Sequence, residues 1–231
     1  MTIIKYRSYQ SIDIEFDDNT ITKNKSYDSF KSGKVKNYNH PSVYGVGYIG
    51  NGKYDIQKHI GAYNTWYSMM KRCYSLNYQK DKPSYIDCEV CEEWHNFQNF
   101  ANWYELNYYE LDDEKMHLDK DILVKGNRTY SPDTCIFAPE SINGIFKKKD
   151  VSRGKLPIGV NRDLGRNKYR SSIAKWGETI HLYSHDTPEE AFQTYKKEKE
   201  KYIGEVANIY KNKIPRKLYD ALMNYKVEIT D

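Results

Sequence analysis

The stretch His117-Leu-Asp-Lys-Asp121 sets an imidazole, two carboxylates and an amine side by side. If it forms a regular strand, alternation of side chains puts His117, Asp119 and Asp121 on one face. Such a set can move protons or hold a divalent cation. The plainer reading is that Asp119 and Asp121 order a hairpin, with Lys120 as their solvated neighbour. A second concentration is basic: Lys147, Lys148, Lys149, Arg153, Lys155, Arg162, Arg166, Lys168, Arg170 and Lys175 are opposed within their interval only by Asp150 and Asp163. A block of that kind can neutralise phosphates and release their counterions. The third candidate is Cys88-x-x-Cys91, half of a zinc site that Cys73 and Cys135 would have to complete. The second pair forms no close knuckle, so structural zinc is not favoured and the cysteines read as small buried apolar residues.

These groups need elements to position them, and the periodicities predict an α+β chain in three segments. Residues 1–61 read as a small β-rich module, with Ile12, Ile14 and Phe16 alternating with charged residues. Within it the glycine-rich run Val43–Gly52 suits bulged, tightly approached strands. No long apolar βαβ unit surrounds that run, so it is not read as a phosphate cradle. Residues 62–150 open with two helices. One carries Tyr63, Trp66, Met69, Met70 and Cys73 at helical spacing, and the other Trp94, Phe97, Ala101 and Tyr104. A polar loop at Gln79–Pro83 is expected between them. A strand over 117–123, a turn through Gly126-Asn127, a strand over 134–138 and a short helix carrying Asn143 follow. His95 reads as a core-edge histidine.

Residues 151–231 give the clearest pattern. Strands over 158–162, 169–176 and 179–183 are joined by turns at Gly165-Arg-Asn and Gly177-Glu. Thr187-Pro-Glu-Glu190 then supplies an N-cap, a first-turn proline and a capping-box glutamate for a helix running to about Tyr210. Ile214-Pro215 ends it before a last helix over 216–225. The lysine-rich stretch 147–155 reads as the linker into this module.

Bulk properties limit the classes of function. A chain of 231 residues with 39% hydrophobic and 29% charged residues can bury a core. Four cysteines make no secreted disulfide framework, and neither a signal-peptide apolar region nor a membrane-length stretch is present. A reducing cytoplasm is therefore expected, with no membrane partner. The net charge of +4 is too small to decide the partner, so the clustering of the bases carries that argument.

Several motifs in order add to this reading: Leu118-Asp-Lys-Asp-Ile-Leu123, Gly126-Asn127, Tyr130-Ser-Pro-Asp-Thr-Cys135 and Ile142-Asn143. Upstream stand Trp66-Tyr-Ser-Met-Met-Lys-Arg-Cys-Tyr74 and Val90-Cys-Glu-Glu-Trp-His-Asn-Phe97. Over residues 62–146 the chain resembles the phage HNH-type endonucleases, whose ββα-metal finger cuts DNA. The resemblance implies Mg²⁺ or Mn²⁺ held by Asp119 and Asn143. The base position falls on Lys120, where the family has histidine, and a lysine serves as a base only if its pKa drops well below about 10.4. His117 and Asp121 are the nearest substitutes.

The third segment, through Gly159-Val160, Lys168-Tyr169-Arg170, Ile173, Ile180-His-Leu182 and Thr187-Pro-Glu-Glu-Ala191, resembles the Apetala-two type of DNA-binding domain. That resemblance implies a three-stranded sheet lying in the major groove with a helix behind it. Val160, Ile173, Ile180 and Leu182 should then face the helix. Asn161, Arg170, Ser172 and His181 fall on the other face, where they can meet base edges, while Arg162, Arg166 and Lys168 hold phosphates. The expected function is a metal-dependent DNA endonuclease, of homing or nicking type and of phage or mobile-element origin, acting on double-stranded DNA. The alternative is a catalytically silent phage factor on the same scaffold, a regulator or a counter-defence inhibitor that meets a host defence or replication protein. A purely structural interaction protein is the third possibility.

Overall fold

Alternating apolar and polar residues fold the first 25 residues into an antiparallel sheet of order β1-β2-β3: β1 (Thr2–Ser8), β2 (Ser11–Glu15) and β3 (Ile21–Lys25). Ile12 and Ile14 of the middle strand are fully buried under α1 (Tyr27–Lys31), whose Tyr27 and Phe30 pack on them. Asp13 between them points to the other face and is closed by Arg7 through two bonds of 2.8 and 2.6 Å. This computed structural model describes residues 1–111, 114–146, 156–163, 165–229 and 231.

Next come α2 (Ile60–Tyr74), α3 (Leu76–Asp81), β4 (Glu89–Val90) and α4 (Phe97–Asn107). Trp66, Met69, Met70 and Cys73 lie buried along α2, as their spacing predicts, and Phe97 and Ala101 along α4. The expected polar loop over 79–83 is instead largely helix. Ser75 caps α3, and Gln79 donates to the carbonyls of Arg72, Cys73 and Tyr85, so polar residues serve there as local caps. The run Val43–Gly52 also forms no regular strands, only isolated bridges, Val43 with Gly47 and Tyr48 with Asn96. A Cβ at Gly47 would stand 2.8 Å from Trp66 and Met70, so this glycine admits the loop against α2.

The rest of the chain runs β5 (Met116–Asp119), β6 (Thr129–Tyr130), β7 (Ile136–Pro139), α5 (Glu140–Ile145), β8 (Val160–Asp163), β9 (Lys168–Lys175), β10 (Glu178–His185), α6 (Pro188–Tyr210) and α7 (Arg216–Met223). The class is α+β, with a three-stranded sheet at each end of the sequence and helices between, the C-terminal sheet being packed on α6. Two compact units emerge: residues 1–108 with 128–133, and residues 109–127 with 134–231. In the first, β4 pairs in parallel with β6. The second draws on both the central and the C-terminal segments of the sequence. Among the described residues no helix is long and apolar enough to cross a membrane.

In the second unit β5 and β7 pair antiparallel and α5 packs on both, while β10-β9-β8 form the sheet covered by α6. One hydrophobic core joins these parts: Ile136, Ala138 and Ile142 cluster with Val160, Ile173 and the buried stripe of α6. Thr187 caps α6 by accepting from the Glu190 N–H at 3.3 Å, as its sequence position predicts. The stripe Ala191, Phe192, Tyr195, Tyr202, Ile203, Val206 and Ala207 repeats at helical spacing. Lys199 sits inside that stripe. Its ammonium reaches the carbonyl of Ile145 at the end of α5, 2.8 Å away, satisfying a helix-terminal acceptor. Gly159 has φ +75°, and a Cβ there would stand 2.0 Å from the Tyr195 ring.

Two outcomes follow from this packing. Gly159→Ala should destabilise the second unit by at least ~1 kcal/mol through its left-handed backbone alone, with ring displacement in addition, as measured by denaturant unfolding. Burial lowers the Lys199 pKa to about 8, against the ordinary 10.5 of the unfolded chain. The unfolded chain therefore holds more protons between these values, and stability should rise with pH across that window. Lys199→Met should remove this rise in melts taken from pH 7 to 10.

Candidate functional site

β5 ends at Asp119, so the expected strand over 117–123 stops short and Asp121 leaves the ladder. The cause lies in the Asp119 carboxylate, whose Oδ1 accepts the backbone N–H groups of Asp121 at 2.7 Å and Ile122 at 2.8 Å. These bonds turn the chain out of the strand, so the hairpin-ordering role is present in the geometry. Burial pushes the Asp119 carboxyl up, against those two N–H donors and Lys120. His117 and Asp119 stay on one face of β5, opposite Ala138 and Ile136 of β7. Ile136 and Ala138 cluster with Ile142, so this is the face that α5 covers, and α5 carries Asn143. His117 Nε2 lies 3.9 Å from the Glu140 carboxylate at the start of α5.

Lys120 is not the solvated neighbour the sequence suggested. It is 6% exposed, and its ammonium donates to Asp121 at 2.8 Å and to the Asn127 carbonyl at 2.7 Å. The Asn127 amide returns a bond to the Lys120 carbonyl at 3.0 Å. This reciprocal clamp closes the loop between β5 and residue 127. An ammonium held between a carboxylate and a carbonyl is a donor, and in this position it works as a strut.

Registers place the residues of the C-terminal sheet. Asn161 pairs with Arg170, and Ser172 with His181, so these four share the face away from α6. Asn161 donates to the Ser172 hydroxyl at 2.9 Å, which helps bury Ser172. Arg162 pairs with Tyr169, and alternation puts it on the helix side, apart from the others. Lys168 bonds Asp186 at 3.1 Å, and Arg170 is paired with Asp163. The Arg170 guanidinium holds the Asp163 carboxyl below its ordinary range. Arg166 is exposed in the turn between β8 and β9, forms no ion pair within 4.0 Å among the described residues, and its charge also helps hold the Asp163 carboxyl down. With Asp163, Arg170, His181, Tyr183 and Ser184 it lines an open concavity of about 580 Å³.

No protein family, curated protein or solved structure matches this chain.

The geometry of the two regions therefore has to carry the functional reading. β10 departs from the regular strand that the sequence suggested. Its register slips between His181 and Ser184, and the Ser171 hydroxyl fills the irregularity, accepting from Tyr183 N–H at 3.3 Å and donating to Tyr183 O at 3.1 Å. The bulge leaves Tyr183 70% exposed beside Arg170 and His181. Tyr183 and the counter-ion role of Asp163 were missed by sequence reasoning. A period-two reading cannot locate a bulge, whereas the lone acidic residue among bases did mark Asp163. Ile173 is buried on the helix side and Leu182 partly so. Ile180 shares that side but remains 41% exposed, because it lies on the edge strand.

Cys73, Cys88 and Cys135 are buried, and burial raises the half-buried Cys91 thiol. Among the described residues no three His, Cys, Asp or Glu side chains converge as a metal-holding group. His95 bonds the Val90 carbonyl at 2.9 Å from a half-buried position. Of the basic block, Lys147, Lys148, Lys149, Arg153 and Lys155, together with Asp150 and the linker they form, lie outside the described residues.

Removing the strut should cost stability. Lys120→Ala removes the bonds from the buried ammonium to Asp121 and to the Asn127 carbonyl, and a loss of roughly 1–3 kcal/mol is expected in denaturant unfolding. Lys120→Arg should recover part of it, since a guanidinium can still donate to both acceptors.

Proposed function

We propose that this chain is a DNA-binding protein of the phage HNH type, working in the bacterial cytoplasm as a metal-dependent endonuclease that nicks duplex DNA. The observation that carries this is the shared core of the second unit. It joins a strand-strand-helix finger bearing His117, Asp119 and Asn143 to a sheet that offers Asn161, Arg170, Ser172 and His181 on its open face. Arg and Asn side chains suit bidentate contacts with guanine and adenine edges. Arg166 and Lys168, at the turn between β8 and β9, would contact phosphates, whereas Arg162 lies on the helix side of the sheet, apart from them.

Asp119 and Asn143 carry the oxygen-donor types that Mg²⁺ or Mn²⁺ takes. Asp119 uses Oδ1 on its own turn, which leaves Oδ2 for a cation, and Asn143 adds an amide oxygen; both are hard oxygen donors. Such a cation would polarise the scissile phosphate and stabilise the charge that develops on it. The chain's own contributions are these. His117, on the Asp119 face, is the base that takes the proton of the attacking water at a ring nitrogen. Glu140 beside it favours the imidazolium that results. Lys120 holds the loop that fixes the Asp119 carboxylate. Asp121 pairs with the Lys120 ammonium at 2.8 Å and steadies it there.

One observation favours the second reading, a silent DNA- or protein-binding factor that engages a host defence or replication protein. The residue at the family's base position is used as a strut. Incubation of supercoiled plasmid with Mg²⁺ or Mn²⁺ separates the two. The endonuclease gives nicked circles that disappear in Asp119→Ala and Asn143→Ala and fall at least tenfold in His117→Ala. Binding without nicks in either metal selects the silent factor. In either case Arg166→Ala should reduce the slope of log K against log salt by about one. Binding that does not respond to salt would exclude DNA as the partner.

A further inference from the structure

The turn between β9 and β10 holds a residue that local chemistry disfavours. Lys175 pairs with Glu178, so Trp176 and Gly177 form a two-residue hairpin, and both have positive φ, at 52° and 85°. This is a type I′ turn, in which asparagine or glycine is the comfortable first residue and a bulky aromatic is strained. Trp176 nevertheless remains 61% exposed. Its backbone N–H donates to the Tyr202 hydroxyl at 3.2 Å, and its ring meets Tyr202 edge-on at 5.2 Å. Core packing therefore does not explain the tryptophan, because most of its surface faces solvent.

Trp176 forms the rim of a cleft of about 390 Å³, lined also by Tyr202, Val206, Tyr210 and Ser141, a size within the ~300–1,000 Å³ of small-ligand sites. The Ser141 and Tyr210 hydroxyls lie 2.8 Å apart, and both donate to the Glu114 carboxylate, Ser141 at 2.7 Å. Burial opposes the charge on Glu114, but bonds from Tyr210 and Ser141 outweigh it and hold the carboxyl below its ordinary range. With the carboxylate ionised, two hydroxyl protons serve three oxygen–oxygen contacts, and both are drawn toward Glu114. The lone pairs of these two hydroxyl oxygens are left for the cleft, so this end of it accepts hydrogen bonds, while the Tyr202 hydroxyl and the Trp176 indole N–H are donors elsewhere on its lining.

From these features we infer that the cleft between Trp176, Tyr210 and Ser141 receives one unpaired nucleobase bearing an exocyclic amino group. The ring stacks on Trp176, and the amino group donates to the Ser141 and Tyr210 oxygens. Adenine and cytosine fit. Thymine does not, since its only N–H lies between two carbonyl oxygens that would face acceptors. This inference rests on the DNA-binding reading and adds a second, single-base subsite to the open sheet face.

The test measures binding of the full chain to three labelled duplexes by anisotropy: fully paired, with one bulged adenine, and with one bulged thymine. The adenine bulge should bind about tenfold tighter than the paired duplex, the effect of one base–aromatic stack, and the thymine bulge within about twofold of it. Trp176→Asn, which the turn accepts, should abolish the adenine preference and leave paired binding unchanged. Trp176→Phe should keep most of the preference, and Ser141→Ala should narrow the gap between adenine and thymine. Equal binding of all three duplexes by the parent overturns the subsite while DNA binding stands, and so does an adenine preference that survives Trp176→Asn. Failure to bind even the paired duplex overturns both readings, and tryptophan fluorescence quenched by tetramethylammonium but not by adenosine reassigns the cleft to a cationic ligand.

Discussion

The second unit depends on burying one side of α6. Its apolar stripe is the common ground on which β8, β9 and the β5-β7-α5 finger meet, and a single core runs through all of them. Hydrophobic burial is non-directional, so on its own it would tolerate sliding of these parts. The polar contacts at the edges of the stripe fix the register. Lys199 reaches the end of α5, the Glu114–Ser141–Tyr210 network ties the start of α5 to the end of α6, and Lys196 holds the carbonyl of Val227 at 2.6 Å. Each is a charged or hydroxyl group used where a bond has direction and a hydrocarbon contact does not.

The finger and the C-terminal sheet share this unit and are held in a defined relation. A common core does this more firmly than a linker, since small shifts in a close-packed interior are costly. The finger shows the same economy on a smaller scale. Asp119 orders its own turn with one carboxylate oxygen, and Lys120 braces the loop that follows. Lys120 thus has a mechanical use in this loop.

The open face of the sheet is partly neutralised by the protein itself, through Asp163 on Arg170 and Asp186 on Lys168. Paired in this way, the Arg170 guanidinium is held in one orientation, and any anion that approaches this face competes with a carboxylate for it. Arg166, with no ion-pair partner among the described residues, is the freer charge. The strained Trp176 and the bulge at Tyr183 are the other two places where local preference gives way, and both leave an aromatic ring in solvent. Strain and irregularity of this kind persist where surrounding structure over-determines them, and they cluster at sites that bind.

Sequence alone determined the elements whose signals are local. Period-two alternation marked β2 and the C-terminal strands, helical spacing marked the buried faces of α2 and α6, and Thr187-Pro188 marked the start of α6. It also assigned Asn161, Arg170, Ser172 and His181 to one face, because alternation is a property of the strand itself. Tertiary structure decided what depends on residues far apart in the chain. The glycines near position 47 serve close approach to a helix, the β5 strand ends where Asp119 captures its own backbone, and Lys120 is buried because Asn127 folds back onto it. The cleft behind Trp176 was illegible for the same reason. Glu114, Ser141, Trp176, Tyr202 and Tyr210 come from four separate stretches, and no pattern within any one of them reports that the core brings them together.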